Sequence, residues 1–145
     1  MIKEAYVSFE VARLLKEKGF NGLCGACFDP NDKSLNTIYY DTSGGVEPQD
    51  WNNLSMREAG KIGVAAWYGY ISAPTQQMAM AYLRRAHGIF IAINNDDLDF
   101  NWQCYDLINR ESTLDPKILS ESYGGYKSYE KAVEAALKYV LENLI

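Results

Sequence analysis

The chain has 145 residues and a mass of 16.4 kDa, the size of one domain, and a single domain over residues 1–145 is expected. Hydrophobic residues make up 48% and charged residues 23%, close to globular averages, which excludes a disordered tail or a fibrous repeat. With 14 Lys and Arg against 19 Asp and Glu, the protein is acidic, at net charge −5, and bulk charge argues against binding to nucleic acid or an anionic membrane.

The opening residues Met1-Ile2-Lys3-Glu4-Ala5-Tyr6 lack the basic stretch and apolar core of a secretory leader. The longest nearly apolar run, Ile62 to Ile71, is about half the ~20 residues that a membrane span needs. A cytoplasmic protein is the expectation. Three cysteines, Cys24, Cys27 and Cys104, fit reduced thiols better than a disulfide framework.

The first helix is announced by Ser8 as N-cap, followed by Phe9, Glu10 in the first turn, and Val11, Leu14 and Leu15 on one face. Lys16 and Lys18 close its last turn, and Gly19 stops it. A strand is expected at Leu23 to Phe28, then a turn at Asp29-Pro30-Asn31-Asp32 and a strand at Thr37 to Tyr40. Residues 41–61 are polar and turn-rich, with a capping-box spacing at Ser55-Met56-Arg57-Glu58 that predicts one helical turn ending near Gly60. Ile62 to Tyr70 reads as a further strand.

A helix is expected from Pro74 to His87, with Ser72 or Ala73 as cap, Arg84, Arg85 and His87 at its negative end, and Gly88 terminating it. Ile89 to Asn94 is rich in β-formers, Asn95-Asp96-Asp97 is turn chemistry, and Phe100 to Ile108 returns as a half-buried strand with Phe100, Trp102 and Cys104 on one side. Ile118 to Tyr123 reads as an edge strand. The last helix has Ser128 as N-cap and a stripe of Tyr129, Ala132, Val133, Ala136, Leu137, Val140, Leu141 and Leu144. Glu134 and Lys138 form a favourable i,i+4 pair on its polar side. The sum is an α+β fold: a mainly antiparallel sheet with three main helices packed on it, and an αββ order that occurs twice, as a duplication would leave it.

Chemistry-bearing signals are sparse. Cys24-Gly25-Ala26-Cys27 is a CxxC, but it falls in a strand, whereas a redox pair needs its first Cys at a helix N-terminus. Cys24 and Cys27 have the spacing of a zinc ligand pair, and His87 with Cys104 would complete a Cys₃His set, although those two lie 17 residues apart. This thiol or metal site is one alternative reading. Asp96, Asp97 and Asp99 cluster in a turn, where a solvated acidic loop is favoured over a hard-cation site. No nucleophile elbow, P-loop or His-Glu-x-x-His is present, and the sequence leans away from an enzyme. No cofactor is expected.

A second alternative is an RNA-binding module. The order helix, three strands, helix from Pro74 onward is that of a double-stranded-RNA-binding domain. From Ser72 onward, however, seven Lys and Arg face ten Asp and Glu, and only Lys127 and Lys131 stand near the start of the last helix. The preferred feature is the aromatic content, 11 Tyr and 3 Trp among the 145 residues. If helices cover one sheet face, Tyr and Trp on the other are left for a protein partner or for self-association. Trp67, Tyr68, Trp102 and Tyr105 are the interface candidates, and a second layer built by residues 41–61 would be the alternative cover.

Three blocks, Tyr6 to Phe20, Ser72 to Ile89 and Tyr126 to Ala132, resemble uncharacterised small phage and prophage hypothetical proteins of gut Bacteroides-type bacteria. The resemblance covers about half the chain and implies a phage or mobile-element origin, with no activity attached. Its residues are caps and helix faces. The expectation for function is therefore an accessory protein that acts through a surface, without catalysis.

Overall fold

The computed structural model describes residues 4–37, 47–108, 117–122 and 125–145. By main-chain contacts the chain forms two compact units: Tyr6–Thr75, and Met1–Ala5 with Gln76–Ile145. The class is α+β, with four helices and two three-stranded antiparallel sheets among the described residues.

In the first unit, α1 (Phe9–Glu17) begins where the sequence places it, because the Ser8 hydroxyl accepts from the Val11 N–H at 3.2 Å. Its Val11, Ala12, Leu14 and Leu15 face is buried. The sheet has β1 (Ala26–Phe28) at its centre, paired with β2 (Leu35–Thr37) and β3 (Ile71–Ser72). The turn at Asp29 to Asp32 forms as expected, with the Asn31 N–H on the Asp29 carboxylate. The second strand forms earlier than predicted, at Leu35–Thr37, while residues 38–40 of the predicted strand lie outside the described residues. Tyr6 and Thr75 pair in an antiparallel bridge, so this unit's two ends meet.

The predicted strand over Ile62 to Tyr70 does not form. Helix α2 (Met56–Lys61), capped by Ser55 as expected, runs through Gly60 and ends at Ile62, and a 3₁₀ turn follows at Ala65–Trp67. Gly63 and Gly69 adopt φ of +77° and +84°, a left-handed conformation that ends an extended run. The apolar composition of this stretch serves a turn that buries Val64, not a ladder.

In the second unit, α3 (Gln76–His87) starts two residues later than predicted, since Ser72 belongs to β3 and is no cap. The Gln76 N–H donates to the Ala5 carbonyl at 2.8 Å. Strands β4 (Ile89–Asp96), β5 (Asp99–Asp106) and β6 (Lys117–Glu121) form a sheet in that order, with β6 on an edge as expected. The turn falls at Asp97-Leu98, not Asn95 to Asp97, and Asp97 takes the positive φ, +53°, of a two-residue hairpin. Helix α4 (Tyr129–Asn143) is capped by Ser128, and its Ala132, Val133, Ala136, Leu137, Val140 and Leu141 are buried. Lys138 meets Glu142 at 3.8 Å, and the half-exposed Glu134 accepts from the Gln76 amide of α3 at 3.3 Å.

Both units carry a helix followed by a hairpin, yet the third strand joins differently. β3 pairs with the first hairpin strand, β1, whereas β6 pairs with the second, β5. The repeated αββ order thus does not extend to a repeated sheet.

Candidate functional site

Pleating sorts the second sheet into two faces. Ile89, Ile91, Trp102 and Cys104 are buried on the face against which α3 and α4 pack. The opposite set is Phe90, Ala92 and Asn94 on β4, with Tyr105, Gln103 and Asn101 directly across on β5. On β6, Ile118 stands opposite Tyr105 and Glu121 opposite Gln103. Ile118 and Glu121 are three positions apart, an odd number that would place them on opposite faces. The register shift beside Tyr105 leaves Leu119 as one extra residue in β6, and this bulge brings both to the same face.

The result is an apolar row across all three strands and, beside it, a polar cluster. The apolar row is Phe90, Tyr105 and Ile118. The rings of Phe90 and Tyr105 are 6.3 Å apart at 38°, and Phe90 and Ile118 keep 38% and 52% of their surface exposed. The polar cluster is internally bonded. The Gln103 amide donates to Glu121 at 3.0 Å, and its oxygen accepts from Asn94 at 3.3 Å and from the Tyr105 hydroxyl at 2.5 Å. The hydroxyl bond ties the Tyr105 ring of the apolar row to this polar cluster.

Of the four predicted interface residues, Tyr105 belongs to this face. Trp102 does not: it is 5% exposed, on the helix side, with its ring 5.1 Å from Tyr139, and its indole N–H has no hydrogen-bond partner among the described residues. Trp67 and Tyr68 lie in the first unit, at the end of the 3₁₀ turn, so they do not alternate across a strand. Tyr68 is 47% exposed, and Trp67 is half-covered by an edge contact with Trp51 at 6.1 Å. Trp51 comes from the polar 41–61 segment. Phe90 and Ile118 were missed. The period-2 pattern contained Phe90, but its pairing with Tyr105 depends on the turn position, and Ile118 depends on the bulge.

The other candidates sit as follows. Cys24 and Cys27 are buried in the first unit, while His87 and Cys104 belong to the second. Within each unit, no three His, Cys, Asp or Glu among the described residues gather to hold a metal. Burial, reinforced by the Asp50 carboxylate, pushes the Cys24 thiol up to about 12, and burial does the same to Cys27. Thiols so placed are protonated at neutral pH and poor nucleophiles. Burial also raises Cys104, whose thiol donates to the Ser120 carbonyl at 3.6 Å. His87 Nε2 lies 3.3 Å from the Tyr82 hydroxyl, and the two rings meet edge-on at 5.4 Å. A cavity of about 220 Å³ lies beside it, walled by Ile89, Ile108, Leu119, Leu144 and Ile145 with Asp106.

The αβββα order does occur in the second unit. Of the two lysines near the start of α4, Lys127 is held by Asp99 at 2.9 Å, which leaves Lys131 beside Glu130 as a weak phosphate site. The same pair engages one carboxylate oxygen of Asp99 in the acidic turn. Among the described residues, no helix is long and apolar enough to cross a membrane. Comparison with protein families, curated proteins and solved structures returns no match.

Proposed function

We propose that the chain is a non-catalytic accessory protein that acts by binding a protein partner through the open face of its second sheet. The observation that carries this reading is the Phe90–Tyr105–Ile118 row, apolar, exposed at both ends and tied at its centre to the Gln103 network. Aromatic anchors set among polar, hydrogen-bonded neighbours are the composition of interface centres and their surroundings. The sequence resemblance to phage and prophage proteins supports an accessory role in a mobile element, acting on a host or phage component in the cytoplasm, a step by analogy.

The experiment is a tagged pull-down from host lysate, with and without nuclease, using the wild type and the double variant Phe90→Ser/Ile118→Ser. The expected result is a stoichiometric protein that survives nuclease and is lost with the variant, whose circular dichroism stays native. Capture of the same proteins by the variant would refute the reading. A partner lost to nuclease would favour the RNA-binding alternative.

A further inference from the structure

The second sheet has two edges, and they are built differently. The β6 edge is short, carries Lys117 and Glu121 at its ends and is bent by the Leu119 bulge. These are the devices by which proteins keep an edge strand from pairing with another chain. The β4 edge has a charge only at its last residue, Asp96, next to the hairpin turn, and has no bulge. Ile89-Phe90-Ile91-Ala92-Ile93-Asn94-Asn95 contains no charge, no proline and no glycine, and its pairing with β5 is regular over its whole length.

The hydrogen-bonding phase of β4 follows from its neighbour. Phe100 and Trp102 direct their main-chain groups away from β4: Phe100 exchanges bonds with Tyr126 at 2.8 Å each way, and the Trp102 carbonyl accepts from the Ser122 N–H at 2.9 Å. Alternation then gives Asn101, Gln103 and Tyr105 to β4, where they bond Asn94, Ala92 and Phe90. The main-chain groups of Ile89, Ile91, Ile93 and Asn95 therefore point outward from the sheet, and none of them has a partner among the described residues of this unit.

That outward set is symmetric about Ala92. We infer that β4 pairs antiparallel with β4 of a second copy, about a two-fold axis through Ala92, joining two sheets into one of six strands. Ile91 then faces Ile93 of the other copy, and Ile89 faces Asn95. All four outward residues are used, for about eight main-chain hydrogen bonds. Ala92 stands directly opposite its own copy, and its small side chain lets the strands close. The chain carries net charge −5, and this is an uncharged stretch in which two copies meet without like-charge contact. The inference rests on the strand edge and is independent of partner binding by the sheet face. It places the two Phe90–Tyr105–Ile118 rows on one continuous surface.

The test is sedimentation equilibrium of the full chain as wild type, Ala92→Lys and Ala92→Glu. Like charges directly opposite across the axis are destabilising, so the wild type is expected to be a dimer and each variant a monomer with native circular dichroism. Mixing the two variants should restore a dimer that weakens with salt. Amide exchange of the wild type gives a measurement free of substitutions: Ile91 and Ile93 should exchange about tenfold or more slowly at high than at low protein concentration. A wild type monomeric at on the order of 100 µM, dimers unaffected by either charge, or Ile91 and Ile93 exchange independent of concentration would each overturn the inference. Loss of the pull-down partner in Phe90→Ser/Ile118→Ser with the dimer intact would separate the face from the edge.

Discussion

The Trp51 indole N–H donates to the Cys24 carbonyl at 2.9 Å, across 27 residues of sequence. The same carbonyl accepts from the Gln49 N–H at 3.1 Å, and the next residue, Asn52, accepts from the Ser72 N–H while donating to the Phe20 carbonyl. A short polar stretch is thereby tied at once to the start of β1, to β3 and to the end of α1. Trp51→Phe keeps most of the ring and removes the donor; it is expected to cost about 1–3 kcal/mol. Urea unfolding checks this, and a midpoint unchanged from wild type would show that the indole bond contributes nothing net.

Gly88 ends α3 with φ of +65°, and a Cβ there would run into the Ile108 side chain. Gly88→Ala therefore meets both backbone strain and a clash, and about 1–3 kcal/mol of destabilisation is expected. Adding Ile108→Ala should recover the steric part and leave the backbone part. Full recovery in the double variant would mean that the left-handed conformation costs nothing.

The buried thiols give stability a dependence on alkaline pH. In the unfolded chain Cys24 and Cys27 titrate near 9.0, and in the folded protein each is pushed up to about 12. Below pH 9 both states hold the proton, and the stabilisation is fully present. Between pH 9 and about 12 only the unfolded state releases it, so stability falls as pH rises. Urea midpoints measured from pH 8 to 10.5 should decline, and less steeply for Cys27→Ala. A thiol reagent at pH 8 should modify the cysteines only in denaturant; rapid labelling of the native protein would contradict their burial.

At the start of α4, two neighbours should behave unlike each other. The Ser128 hydroxyl caps the Lys131 N–H at 3.1 Å, and Ser128→Ala is expected to cost about 1 kcal/mol. Lys127 pairs with Asp99 at the surface, and Lys127→Ala should change stability by less than about 1 kcal/mol. Thermal melts compare them; an equal loss in both would make the ion pair worth more than its exposure allows.

What was legible in the sequence was what is decided locally. Ser8 and Ser128 bond to a main-chain group three residues away, and the stripe from Ala132 to Leu141 shows the helical period whatever it packs against. The stretch from Ile62 to Tyr70 has the composition of a strand, while Gly63 and Gly69 take left-handed conformations that end an extended run, and Val64 and Trp67 pack from a turn. The sheet face was legible only in Tyr105. Its companions depend on where a two-residue turn falls and on one extra residue in β6, and a shift of one position exchanges the faces of a strand. Trp102 carried the right residue type on the wrong side of that alternation.

The bridge between Tyr6 and Thr75 also bears on how such a chain is assembled from parts. The first unit leaves and rejoins the polypeptide at one point, and just outside it Ala5 and Gln76 are already hydrogen-bonded to each other. A segment with adjoining ends is a cassette, a form in which insertion or excision disturbs the host chain little. For the stretch from α3 to α4, the path through seventy intervening residues is, topologically, a loop on the N-terminal side of one helix.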